Sequence, residues 1–140
     1  MNDRIVTRKQ FVAEARTWMD TPFKMQGRLK GVGVDCAGLI IETARVLGLT
    51  EFDYTAYRRP KGDMMREFAD DLMDPIRADE ADAADVMLFR WGNHSTHIAL
   101  LTGPRSVIHA HAPNRKVVEH DLSDDMLRFL ERAYHIRGIV

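Results

Sequence analysis

VMLFRWGNHSTHIALLTGPRSVIHAH, residues 86–111, is the stretch on which the fold turns. Val86–Trp91, His97–Thr102 and Ser106–His111 are short β-prone runs separated by Gly92-Asn93 and Gly103-Pro104, the pattern of consecutive antiparallel strands joined by turns. Lys116–His120 continues it after Pro113-Asn114, and Tyr134–Val140 reads as a last strand. Upstream the period is helical. Thr7 can cap a helix whose apolar side is Phe11, Val12, Ala15, Trp18 and Met19, ended by Thr21-Pro22. A second helix begins at Asp35-Cys36 and runs through Ala37, Leu39, Ile40, Ile41, Ala44, Val46 and Leu47 to Gly48; being apolar nearly all round, it belongs in the core. Met64 to Met73 predicts a short amphipathic helix, and Ser123 can cap another covering Met126, Leu127, Leu130 and Ala133. Helices first and a sheet second give an α+β architecture, a single domain over residues 1–140.

The composition narrows the function classes. Twenty Lys+Arg against 21 Asp+Glu leave a net charge of −1, so nothing draws the chain as a whole to nucleic acid or an anionic membrane. At 140 residues it can bury a core without disulfide or metal staples, and one cysteine cannot form an internal disulfide. The first residues lack an apolar export segment, and no run is long enough to span a bilayer, which predicts a soluble chain made without a signal peptide and not inserted in a membrane. Phe23 to Val34, with Lys24, Gln26, Gly27, Arg28, Lys30, Gly31 and Gly33, reads as a mobile basic loop. Residues 51–63 read as irregular and basic around Arg58, Arg59 and Lys61, and the acidic stretch from Asp70 to Asp85 reads as a solvated face. Met64, Met65 and Phe68 suit helix packing better than docking of a neighbour.

Cys36 sits in the first turn of its helix, behind Asp35, where free backbone amides and the macrodipole favour a thiolate. A thiolate needs a base, and His94, His97, His109 and His111 fall within eighteen positions of the expected sheet. His97 and His109 lie six residues either side of Gly103, so a hairpin centred there sets them opposite each other, where one imidazole can orient the other. An even loop without a bulge would turn His109 to the other face; the pairing therefore requires an odd loop or a bulge. His111 shares the face of His109 and is available to contact substrate. His94 reads as a loop histidine, and His120 and His135 as surface or packing residues. A zinc site from His94, His97, His109 and His111 is the weaker alternative, because the helical His-Glu-x-x-His arrangement is missing. No metal and no cofactor is expected.

The stretches Thr21–Arg28 and Gly31–Leu39, the latter containing Asp35-Cys36-Ala37-Gly38-Leu39, resemble the NlpC/P60 cysteine peptidases, particularly their phage-encoded branch. Asp85–Phe89 resembles the family's Gly-Asp-Leu-Val-Phe strand, His97–Leu100 its His-Val-Gly-Ile strand, and Ile108-His109-Ala110 its third element. The resemblance covers roughly residues 10–140. It implies a papain-like fold with the nucleophile helix packed on a C-terminal antiparallel sheet, and cleavage of bacterial peptidoglycan stem peptides, typically between D-γ-glutamate and a diamino acid. By position, Cys36 is then the nucleophile, His97 the base and His109 the orienting residue. Phe23, Gln26, Arg28, Asp35 and His111 are candidate substrate-binding residues, with Arg28 among the basic side chains that could pair with stem carboxylates. Phe23 stands where many members carry a tyrosine and lacks its hydroxyl, for which Gln26 or a loop amide could substitute. The phage-type likeness also implies tail or hub proteins as partners. The chain would be synthesised in the cytoplasm, assembled into a phage-like tail and act in the periplasm or cell wall of the target cell. The alternative is a structural tail protein that keeps the fold with little hydrolysis.

Overall fold

The structure, a computed structural model, describes residues 5–51, 64–92 and 94–140. The expected basic segment around Arg58, Arg59 and Lys61 lies outside these residues. Helix α1 spans Arg8–Arg16 behind the cap Thr7, whose hydroxyl accepts from Gln10 N while the Gln10 side chain accepts from Thr7 N, a reciprocal capping box. The region expected to be a mobile loop is instead tied down. Strands β1 (Arg28–Leu29) and β2 (Gly33–Val34) pair antiparallel, Lys24 N donates to Val34 O, and Phe23 N donates to Arg115 O. Gly27 permits this: a Cβ there would stand 2.5 Å from the Gly33 carbonyl carbon. A glycine-rich composition here reflects close backbone packing rather than mobility.

Helix α2, Cys36–Val46, follows the N-cap Asp35, and α3 covers Met64–Leu72. The chain then forms β3 (Met73–Ile76), β4 (Val86–Trp91), β5 (His94–Gly103), β6 (Ser106–His111), β7 (Lys116–Asp121), a single helical turn α4 (Asp124–Leu127) and β8 (Leu130–Ile136). The six long strands make one antiparallel sheet in the order β3-β8-β4-β5-β6-β7. Two expectations fail here. The helix expected after Ser123 stops at Leu127, and Leu130 and Ala133 lie in β8, where Ala133 pairs with Met87 and Ile76. The acidic stretch expected to be solvated contains β3, with Pro75 on the sheet's outer edge where its missing N–H costs no ladder bond, and ends in Asp85, which is fully buried.

The sheet is buried on both faces. Even-numbered side chains of its central strands, Val86, Leu88, Ile98, Leu100 and Ile108, pack against Leu39, Ile40 and Ile41 of α2 and Phe11 of α1. Odd-numbered ones, Met87, Phe89, Ala99, Leu101 and Val107, pack with Leu122 and the residues after it. Removing a fully buried Leu or Ile from such a layer costs roughly 2–5 kcal/mol, so these runs fix the strand register strongly. Asp85 accepts from Arg8 (2.9 Å) and contacts His135 Nδ1 (2.8 Å), and His135 Nε2 lies 2.9 Å from the Ile139 carbonyl oxygen, tying the first helix to the last strand. Among the described residues, no helix is long and apolar enough to cross a membrane.

Candidate active site

Strand β5 carries two irregularities that together place its histidine. Against β4 the register shifts after Phe89↔His97 to Arg90↔Ser95, leaving Thr96 as an extra residue. Against β6 it shifts between Leu101↔Val107 and Gly103↔Ser106, leaving Thr102 extra after a two-residue turn. The second bulge restores the face that an even turn would have inverted, so His97, His109 and His111 share one face. The register is not the one expected, however. Leu100 pairs with Ile108, so His109 stands two residues from the position opposite His97, and the two rings meet diagonally, within reach of long or aromatic side chains. His97 Nε2 and His109 Nδ1 are 2.6 Å apart.

The chain of rings continues. His109 Nε2 lies 2.8 Å from His120 Nε2, and His120 Nδ1 lies 2.8 Å from the Asp121 carbonyl oxygen. His120 is thus part of the cluster and not an isolated surface residue. The signal was in the next hairpin: Val107 faces His120 across β6 and β7, which makes His120 the diagonal neighbour of His109. His111 stacks on His109 with ring centroids 4.6 Å apart and receives a hydrogen bond from Asn114 Nδ2 at its Nδ1 (2.9 Å). His135 belongs to the Asp85 cluster, as packing; the side chain of His94 is outside the description.

Cys36 approaches from the other face of the sheet. By alternation His97 points away from α2, on the side of Phe89, yet the two residues line one cavity. The last β5–β6 pair away from the turn is Leu100↔Ile108; beyond it the backbone amide of Ile98 faces the Cys36 sulfur and favours its ionised form. The sulfur therefore meets the strand at its backbone, next to the residue that carries the imidazole. The cavity, about 470 Å³, is walled by Phe23, Met25, Trp91 and Pro113 together with Cys36 and His97, and Asp35 and His111 also reach it. Trp91 packs on the His97 ring at 5.4 Å between centroids.

The electrostatics correct one expectation. Burial pushes the Cys36 thiol up to about 12, and the Asp35 carboxylate adds to the rise; the amides of Ile98, Ala37 and Cys36 itself oppose it and lose. Burial likewise holds His97 down to about 3, with His111 next in effect, and His109 down to about 2, with His97, His111 and His120 contributing. The resting pair is a neutral thiol and a neutral imidazole. The helix start does not by itself ionise this cysteine.

Asp35 is 2% exposed and works on the scaffold side: its carboxylate accepts from Gly38 N (2.8 Å), Gln26 N (2.8 Å) and Arg28 Nη1 (3.1 Å). Arg28 also donates to the Gly27 carbonyl, so its guanidinium is held by the loop and does not line the cavity as a docking cation for stem carboxylates. Gln26 is likewise not among the residues that wall the cavity; its backbone N–H donates to Asp35. Phe23 and His111 do stand at the cavity. No group of three His, Cys, Asp or Glu side chains among the described residues is arranged to hold a metal ion.

Comparison with known proteins agrees with this fold. The family model described as the NlpC/P60 family matches residues 20–132. No curated protein sequence matches the chain. Among solved structures, the NlpC/p60 domain of the peptidoglycan hydrolase SagA is similar with a TM-score of 0.63 and 22% identity, over 94% of this chain and 100% of that one. An NlpC/P60 family protein from Bacillus cereus is similar with a TM-score of 0.72 and 17% identity, over 95% of this chain and 41% of that one. The peptidoglycan hydrolase RipB from Mycobacterium tuberculosis gives 0.66 and 19%, over 92% and 64%. The chain thus spans the whole SagA domain but under half of the Bacillus cereus protein. With the Cys36 helix α2 set against an antiparallel sheet and a family match over residues 20–132, this chain belongs to the NlpC/P60 family.

Proposed function

We propose that this protein is a cysteine peptidase that hydrolyses stem peptides of bacterial peptidoglycan, at the bond between D-γ-glutamate and a diamino acid. The observation that carries the reading is the shared cavity of Cys36 and His97, with His97 backed by a hydrogen-bonded line of histidines. Because thiol and imidazole are both neutral at rest, the Cys36 proton passes to His97 as the sulfur attacks the peptide carbonyl carbon. The Cys36 amide, in the first turn of α2, is placed to donate to the developing oxyanion. The His97 imidazolium then protonates the leaving amine as the C–N bond breaks, and water releases the acyl group from sulfur. His109 holds the His97 ring, and Phe23, Asp35 and His111 bound the substrate space.

Digestion of purified peptidoglycan followed by mass spectrometry of the fragments tests this. Wild type should release products cut after D-γ-glutamate, and Cys36→Ala should release none. Equal product from both proteins, or none from the wild type, overturns the peptidase reading and leaves the structural one, which the missing hydroxyl at Phe23 favours. We further propose that the chain is carried in a phage-like tail, assembled in the cytoplasm and delivered to the wall of the target cell with tail or hub proteins as partners. The likeness of residues 21–39 to the phage-encoded branch supports this. Its absence from the proteins of purified particles would end it.

A further inference from the structure

The line of rings ends on a group with no choice of role. The Asp121 carbonyl oxygen can only accept, so the His120 nitrogen 2.8 Å from it, Nδ1, carries the proton. In a neutral ring that leaves His120 Nε2 as an acceptor, and His109 Nε2, 2.8 Å away, must be the donor. His109 Nδ1 is then an acceptor in turn, and His97 Nε2, 2.6 Å away, must donate to it. His97 is left with its proton on Nε2 and a bare Nδ1.

We propose that His120 is a positioning residue for the thiol chemistry: anchored by the Asp121 carbonyl, it fixes the tautomers of His109 and then His97, so that Nδ1 of His97 is free to take the Cys36 proton. This rests on the cysteine peptidase reading above. The orienting residue, His109, cannot do this alone. An imidazole both donates and accepts, so His109 would serve equally well in the reversed sense, with His97 protonated on Nδ1 and useless as a base. The direction has to be imposed from outside the His97–His109 pair, and the backbone carbonyl of Asp121 imposes it through His120. His120 itself stays half-buried at the sheet's outer strand and does not line the cavity.

Long-range ¹H–¹⁵N correlation spectra of histidine-labelled full-length protein read the tautomers directly. Wild type at neutral pH should show His97 and His109 protonated on Nε2 and His120 on Nδ1. His120→Glu offers acceptors only, so His109 must still donate to it, and should retain these tautomers and most of kcat. His120→Lys offers donors only; His109 and His97 should then invert, and kcat on stem peptide should fall by about 100-fold or more with KM little changed, since a wrong histidine tautomer in a comparable triad costs about 10,000-fold. A wild-type spectrum with His97 protonated on Nδ1, or His120→Lys with tautomers and kcat unaltered, overturns the proposal. The tautomers are read without substrate, so a wild type that shows them but cleaves nothing would sink the peptidase reading while supporting this assignment.

Discussion

Gly38 packs closely against the loop and the capping residue Asp35 of α2, and Gly38→Ala tests that packing. A Cβ at this position would stand 2.5 Å from Arg28 Nη1, 2.9 Å from the Gly27 carbonyl oxygen and 3.0 Å from Asp35 Oδ1. The guanidinium is the end of a long side chain and can swing away. The carbonyl and the capping carboxylate cannot move without opening the loop or uncapping α2. Displacing Arg28 loses a hydrogen bond between charged groups, worth about 1.5–3 kcal/mol, and the crowding adds about 1–3 kcal/mol. Against this, alanine gains at most about 1 kcal/mol of helix propensity over glycine. The net expectation is a loss of roughly 1.5–5 kcal/mol, or a fall of about 1–2.5 M in the urea midpoint at a slope of about 2 kcal/mol per M. Function should change with stability: an Asp35 carboxylate left without its arginine raises the Cys36 thiol further, so alkylation of Cys36 by iodoacetamide should slow. Both are read on one preparation, by urea titration and timed mass spectrometry. A variant as stable as wild type, alkylating at the same rate, would refute the claim that Gly38 exists to let Arg28 reach Asp35.

Three further outcomes are expected. Arg28→Ala should lower stability by about 3 kcal/mol, because it removes the guanidinium that balances a buried carboxylate, while leaving KM for stem peptide unchanged; a raised KM with intact stability would restore Arg28 as a substrate contact. Asp85→Asn should destabilise by roughly 3 kcal/mol through the loss of its pairing with Arg8 and His135, without altering the rate of Cys36 alkylation, and a changed rate would show that Asp85 reaches the site. Acid should destabilise the fold: the unfolded chain protonates His97 and His109 near pH 6.5, whereas the folded one resists to about 3 and about 2, so their contribution is present above pH 6.5 and lost as the pH falls. Between pH 6.5 and 5 the loss should be about 2–4 kcal/mol, and urea midpoints that stay level over that range would contradict the burial of uncharged rings.

The sequence showed those elements whose hydrophobic period is uninterrupted. Val86–Trp91 and Ser106–His111 were readable to the residue because each is a short β-prone run bounded by turn residues and buried almost continuously on both faces. The capped starts at Thr7, Asp35 and Ser123 were readable because a short polar side chain ahead of an apolar run has a local reason to be there. What could not be seen was non-local. Leu130 and Ala133 fit a helical spacing as well as a strand, and only pairing with β3 and β4 decides between them. The Thr102 bulge places His109 diagonally to His97, a detail that turn residues alone do not encode. Cys36 looked ionised because the helix start is a local signal, whereas the burial that opposes it comes from distant elements. His120 reads as an isolated residue in the sequence because its partner lies across a second hairpin, whose register local residues do not fix.

The paired extra residues Thr96 and Thr102 have an implication for how such a protein can diverge. Between them β5 runs in strict register from His97 to Leu101. Loss or gain of one residue in that short span would swap inside for outside along its length, exchanging the imidazole for a hydrocarbon at the cavity. Relatives can therefore lengthen or shorten the connections at either end of this strand, but an indel within it should be found only in chains whose cavity no longer holds this imidazole.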